Sequence, residues 1–225
     1  MDMKAHDFGA LLGARYSCRG YRPDPVPQEV IAAVLRDAQA VPSWCNSQPW
    51  QVTVCGTEET DRLRAALTEA AQSGAHTGSD VTFPTAYEGI YRDRRRTCGW
   101  QLYGAVGVEK GDRAGSARQS LENFRLFGAP HMMLVTTPKA LGPYGVLDCG
   151  AFVTAVLLGL TARGLGGIAM ASVAGFSPLL RDWFDVAADR DVLCGIAFGH
   201  PDPDHPANGF RTERAPQAEV VDWRW

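Results

Sequence analysis

No excess of basic residues marks this chain. Its 225 residues hold 22 Lys and Arg against 25 Asp and Glu, a formal net charge of -3. Nucleic-acid binders ordinarily carry the opposite balance, so that class is not expected. A long apolar run is missing too. The longest, residues 149–162, falls short of the roughly 18 residues a membrane span needs and reads as a buried core helix, so no membrane partner is expected. The opening MDMKAHDFGALLGARYS lacks a basic stretch followed by an apolar one; no secretory signal is expected, and the expected setting is the cytoplasm. The cysteines (Cys18, Cys45, Cys55, Cys98, Cys149, Cys194) are scattered without a C-x-x-C pair, which argues against a thioredoxin-type or zinc site and for reduced thiols. His6, His76, His131, His200 and His205 show no metal-ligand spacing, and no metal is expected. G-x-S-x-G, H-E-x-x-H and G-x-x-x-x-G-K-[ST] do not occur. There is no internal repeat, low-complexity tract or long linker.

What is present is ordinary globular composition, 45% hydrophobic and 21% charged, and enough chain for one core and one domain over residues 1–225. Apolar positions Val30, Ile31, Val34, Leu35 and Ala38 recur at helical spacing, with Pro27 suited to a first turn. Residues 50–55, WQVTVC, are rich in strand formers, and 58–72 return to helical spacing. From about 74 to 128 the chain is polar and Arg-rich, with helical phrases near 100–103 and 121–127. That stretch reads as a lid inserted over one face of the core. Its RDRRR run, residues 92–96, is either a solvated helix face or a basic rim meeting a nucleotide phosphate. Residues 131–137 read as a buried strand, 145–163 as an apolar helix stopped by Gly164, and 167–171 as a strand. Ser177 and Pro178 open a short helix, 191–199 read as a strand, and the terminal EVVDWRW as a possible edge strand. Helices and strands mix without strict alternation, which predicts an α+β fold.

Gly164, Gly166 and Ala169 fit G-x-G-x-x-A. A dinucleotide site needs a strand before that motif and a helix after it. Here the order is reversed, so the glycines are expected to let a helix end pack tightly against the sheet.

Three segments carry chemistry. In RYSCR, Arg15 and Arg19 flank a hydroxyl and can grip a phosphate or a polar ring edge. VPSWCNSQPW, residues 41–50, gathers Ser43, Asn46, Ser47 and Gln48 in one loop. They can read a planar heterocycle under the cover of Trp44 or Trp50, or satisfy the loop's own backbone. NGFRTERAP, residues 208–216, offers a second cationic pair, Arg211 and Arg214.

Together these segments resemble the FMN-dependent nitroreductase family, across nearly the whole chain. The match takes in R-x-S-x-R, P-S-x-x-N-x-Q-P-W, the D-x-G…L…G-L-G helix of residues 148–166, and the closing G-x-P…R-x-x-R-x-P of residues 199–216. The phrases RRRTCGWQLY and NFRLFGAP are similar to the nitrobenzoate-reductase-like branch. The resemblance implies a mixed, mostly antiparallel sheet wrapped by helices, in an intertwined homodimer with FMN at the interface. Arg15 and Ser17 would hold the FMN phosphate end, Arg214 matches a late phosphate-binding arginine, and Tyr16 and Arg211 would also contact the cofactor. Arg19 would lie by the pyrimidine edge of the ring and tune the flavin. Pro42, Ser43, Trp44 and Asn46 would approach from the other subunit, Gln48 would support that loop or reach the ribityl chain, and Gly175 would offer a backbone contact. Some relatives carry an acidic residue just before that glycine; here it is Ala174.

The implied activity is ping-pong hydride transfer from NADPH or NADH, through FMN, to a small nitroaromatic, quinone or other electron-poor acceptor. The cofactor carries the chemistry, and no side chain need be an obligatory acid or base. The alternatives are a reductive dehalogenase or enone reductase of the same superfamily, or a non-catalytic flavin-storing protein. The last would be yellow but slow to bleach with NADPH.

Overall fold

The computed structural model describes residues 5–74 and 78–225; His76 lies outside them. In chain order the elements are α1 (Ala5–Ala14), α2 (Gln28–Ala38), β1 (Gln51–Cys55), α3 (Thr57–Ser73), α4 (Gly89–Ala105) and α5 (Arg113–Leu121). Then follow β2 (His131–Pro138), α6 (Gly142–Thr161), β3 (Gly166–Met170), α7 (Ala171–Ala174), α8 (Ser177–Phe184) and β4 (Arg190–Gly199). The sheet order is β1-β2-β4-β3. All three strand pairings are antiparallel. The parallel component is confined to isolated bridges, such as Ser17 with Gly167.

The central strand β2 is buried on both faces, which is why it reads as a continuous apolar run. Met132 and Leu134 point to one layer, with Leu63 and Leu67 of α3 and Leu180 of α8. Met133 and Val135, one residue out of phase, point to the other, with Val34 of α2 and Phe152, Val156 and Leu160 of α6. β2 also anchors the chain that leads into α2. The buried His131 accepts from the Val26 N–H at Nε2 (2.8 Å) and meets the Cys55 carbonyl at Nδ1 (3.2 Å). Burial holds its pKa below the usual histidine value.

Several expectations change. The segment Lys139–Thr161 is long and apolar enough, by length and composition, to cross a membrane, although the apolar run alone looked too short. Its residues Phe152, Val156, Gly159 and Leu160 are buried in the core, and a carboxylate, Asp148, is buried among them. The helical phrase expected at 121–127 lies earlier in the chain. α5 stops at Leu121, and Leu126 and Phe127 take left-handed backbone (φ 53° and 52°) that no helix continues through. The phrase at 100–103 belongs to α4, a helix of 17 residues that buries none of them. The RDRRR run sits on it as an exposed face, with Arg92 against Asp93, Arg94 against Glu219, and Arg95 over the Tyr87 ring. The tail forms no edge strand. It makes a short 3-10 turn at Gln217–Glu219 and then runs on irregularly, with Trp223 and Trp225 stacked on each other at 5.5 Å.

The reversed glycine motif does pack a helix end against the sheet. α6 ends at Thr161, Gly164 turns the chain with φ 72°, and β3 follows. A side chain at Gly167 would meet Leu160 and Leu157 of α6 at 2.8 and 2.9 Å. At Gly166 a Cβ would fall 2.6 Å from the Cys18 sulfur and 2.8 Å from its Cβ. Gly166 is therefore what lets the RYSCR segment lie along the edge of β3. Gly166→Ala is expected to destabilise the protein by about 1–3 kcal/mol through overpacking, measured as a lower denaturation midpoint with an unchanged slope.

Candidate functional site

The RYSCR segment runs beside β3 in extended conformation. Ser17 bridges Gly167, and the Cys18 N–H donates to the Gly167 carbonyl at 3.2 Å. From Ser17 to Arg19 the side chains alternate as in a strand. Cys18 points inward and is fully buried, while Ser17 and Arg19 face outward with Arg15 into a cleft of about 390 Å³. The opposite wall is the chain after Asn208: Phe210, Arg211, Thr212 and Arg214. Asn208 joins the two walls. It is buried, accepts from the Arg19 N–H at 2.8 Å, and donates to the carbonyls of Gly20 and Asp202 at 2.8 Å each.

Arg15, Arg19, Arg211 and Arg214 line this cleft, and among the described residues no carboxylate does. Carbonyls orient three of them. Arg211 donates to Asn208 and Phe210 at 2.8 Å and lies 3.9 Å above the Tyr16 ring. Arg214 donates to the Thr212 carbonyl (3.1 Å) and hydroxyl (2.7 Å), and Arg19 to the Ser17 carbonyl (3.2 Å). Burial first, and then the Arg214 and Arg211 guanidiniums, hold Arg15 below the usual arginine pKa; burial does the same to Arg19. A cluster of fixed cations beside a hydroxyl, without a counter-charge of its own, suits a phosphate dianion. The six expected residues Arg15, Tyr16, Ser17, Arg19, Arg211 and Arg214 are thus brought to one place, with Cys98 of α4 as a lining residue that sequence reasoning missed.

The 41–50 loop lies elsewhere. Pro42 and Ser43 border a shallow hollow along α6, with Leu147, Ala151 and Thr154, and no residue of the loop lines the arginine cleft. Most of its polar groups serve the loop itself. The Ser43 hydroxyl accepts from the Gln48 N–H at 2.9 Å, and the Gln48 amide donates to the Asn46 carbonyl at 3.3 Å. Three non-glycine residues, Cys45, Asn46 and Gln48, hold φ between 45° and 56°, which costs roughly 1–2 kcal/mol apiece. What holds the turn is Asp148, in the middle of apolar α6. Its two oxygens accept from the Trp44 N–H at 3.1 and 3.0 Å, and the Ser47 hydroxyl reaches it at 3.5 Å. Sequence reasoning missed Asp148 as a site residue; a carboxylate inside an apolar helix was the available signal. The loop presents Trp44 outward, 62% exposed and 5.0 Å from the Tyr144 ring, together with Asn46. Trp50 does not share in this. It stacks on Phe152 at 5.0 Å and belongs to the core.

Gly175 is a third location. Its carbonyl accepts from the Gly78 N–H at 2.9 Å, and its own N–H donates to the Ser172 carbonyl at 3.2 Å. Both backbone groups are thus engaged within the chain.

With this geometry in place, comparison with known proteins is informative. The model of the Nitroreductase family matches residues 12–200. The chain is 30% identical to a 4-nitrobenzoate reductase of Pseudomonas putida, covering 95% of this chain and 94% of that one. It is 32% identical to nitroreductase NfnB of Mycolicibacterium smegmatis, over 94% and 90%. Among solved structures it resembles the FMN-dependent nitroreductase NfnB from Mycobacterium smegmatis in complex with NADPH. There the TM-score is 0.93 and the identity 29%, over 98% of this chain and 99% of that one.

The loop's dependence on one carboxylate is directly testable. Asp148→Ala is expected to cost about 1.5–3 kcal/mol, the worth of hydrogen bonds to a charged group, and Asp148→Asn less, because one acceptor oxygen remains. Equilibrium denaturation of both variants beside the parent checks the order.

Proposed function

The chain belongs to the nitroreductase family, and from that premise we propose that it is an FMN-dependent NAD(P)H oxidoreductase acting on nitroaromatic, quinone or similar electron-poor acceptors. The observation that carries this reading is the arginine cleft, whose guanidiniums and Ser17 hydroxyl complement a phosphate monoester in sign of charge and in donors, with one guanidinium left for the ring. Arg15 and Arg214, with Arg211 and Tyr16 beside them, would hold the phosphate of FMN, and Arg19 the polar edge of its ring. Bound there, FMN supplies hydride transfer between the nicotinamide donor and the acceptor.

The chain's own residues contribute position and charge. Asn208 and the Ser17 carbonyl hold Arg19 in place before any reaction, so its charge stabilises a developing anion without reorganising. The segment at about 74–128, with α4 and α5, would act as a lid. The setting we infer is the cytoplasm.

The functional unit in this reading is a homodimer. α4 buries none of its 17 residues, and Tyr144 and Leu147 of α6 stand 55% and 68% exposed beside Trp44. Surfaces of that kind need a cover. A second copy would supply it and would also bring Pro42, Ser43, Trp44 and Asn46, held by Asp148 and Gln48, to the flavin of its neighbour. Gly175 joins the site only if its N–H is shared between Ser172 and the ring.

Purified protein is expected to be yellow, with about one FMN per chain, and to sediment as a dimer. Release and identification of the chromophore is the test; FAD, or no flavin after reconstitution, contradicts the reading. A flavin-loaded monomer at low concentration contradicts the dimer alone.

Arg19→Ala, where flavin is retained, is expected to lower the flavin midpoint potential and slow its reduction by NAD(P)H, through loss of an interaction worth about 1.5–3 kcal/mol. A redox titration beside the parent reads this, and an unchanged midpoint removes Arg19 from the ring edge.

A further inference from the structure

α4 is fastened to the rest of the chain at few points. It buries none of its 17 residues. The chain enters and leaves it through Gly89 and Gly107, both in left-handed backbone (φ 51° and 70°), and nothing lies within 4 Å of where a Cβ would stand on either. Joints of that kind leave room for the helix to move as a unit. Among the described residues, two side-chain hydrogen bonds link α4 to distant parts of the chain, and both reach the segment that follows Asn208. Arg94 meets Glu219 at 2.9 Å, and the Gln101 amide donates to Glu213 at 3.3 Å. The face that carries Arg94 and Gln101, with Ile90, Thr97 and Cys98, does not pack on that segment but stands across a cleft of about 690 Å³ from it. Ile90 and Val220, on its opposite walls, are both exposed. Arg94 and Glu219 are about half exposed, and exposed ion pairs hold weakly. α4 is therefore a marginally fastened wall. It borders the arginine cleft, since Cys98 and Arg214 line both spaces. Thr212 and Arg214 face the arginine cleft, whereas Glu213, between them, reaches α4. The groups that would hold a phosphate and those that hold the helix thus alternate along one short strip of chain.

We propose that α4 is a latched gate for the cofactor: the Arg94–Glu219 and Gln101–Glu213 contacts hold it closed beside the phosphate end of the arginine cleft, and FMN enters and leaves when they open. The inference rests on the flavin reading of that cleft, and it concerns exchange of FMN rather than hydride transfer. Of the RDRRR run it singles out Arg94, the member paired across the cleft. The competing role for the Arg94–Glu219 pair is to hold the closing segment, and with it Arg214, in place. The two roles separate kinetically. A gate is a barrier that entry and exit share, so releasing it speeds both. A pair that only supports Arg214 in the bound state changes exit and affinity and leaves entry as it was.

The test measures FMN association and dissociation rates, by flavin fluorescence, in the parent, Arg94→Glu, Glu219→Arg and the double variant Arg94→Glu/Glu219→Arg. Each single change is expected to speed both association and dissociation about threefold or more, the scale of an exposed ion pair, with Kd moving less than either rate. The two single changes alter the local charge in opposite senses, so a shared acceleration of association is not electrostatic steering. The double variant restores the pair with its charges exchanged and should return both rates toward the parent's. Flavin content and sedimentation are read on the same preparations. Single variants that speed dissociation alone overturn the proposal. So do unchanged rates in both, or a double variant no nearer the parent than the singles, with FMN held throughout. A parent that holds no FMN overturns the underlying flavin reading, and the proposal with it.

Discussion

Four guanidiniums sharing one cleft, with no carboxylate among the described residues that line it, are the constraint on which the account turns. Two unit charges 4 Å apart repel by about 1 kcal/mol in bulk water and by about 4 kcal/mol near a protein surface. The chain nevertheless brings Arg15, Arg19, Arg211 and Arg214 together from its two ends. Much of the local structure serves that convergence. Gly166 clears the space for Cys18, strand alternation then turns Ser17 and Arg19 outward, and Asn208 ties the closing segment to the opening one. Carbonyls rather than carboxylates aim Arg19, Arg211 and Arg214. Their charge therefore stays available to a ligand. A dianion supplies the missing term, and binding of such a ligand adds to the stability of the folded state.

The second element is a strained loop held by a buried carboxylate. Three left-handed non-glycine residues at 45–48 sit in a turn that Asp148 pins through the Trp44 N–H and the Ser47 hydroxyl. Strain kept in place by its surroundings is characteristic of functional turns. Within one chain this loop stays apart from the arginine cleft, and it borders the same α6 surface that leaves Tyr144 and Leu147 exposed. A site completed across two copies brings these observations together.

Legibility from sequence followed burial. The strands β2 and β4 and the helix α6 supply much of the core, and their apolar patterns located them. The helices α4 and α5 were hardest to place because neither has an apolar face in the core: α4 buries nothing and α5 only Gly115. Periodicity can report only a face that something covers. The tail misled for a related reason. Val220, Trp223 and Trp225 look like strand residues, yet all three are exposed and none pairs with the sheet, since β-propensity expresses a fit to a half-buried surface. The site was legible as motifs, and R-x-S-x-R and R-x-x-R did converge. The polar residues that position the rest, Asp148 and Asn208, act over long sequence separations; Asp148 left one local sign, a carboxylate inside an apolar helix, but not its partner.

The claim that the arginine cleft reads a phosphate is tested most directly by the affinity of the flavin-free protein for FMN against riboflavin, which lacks only that phosphate. The account predicts tighter binding of FMN by on the order of a hundredfold or more, since at least two charge-assisted contacts are involved. It also predicts that Arg15→Ala narrows the gap by weakening FMN while leaving riboflavin nearly unmoved. Equal affinities in the parent, or a parallel loss for both ligands in the variant, would contradict it.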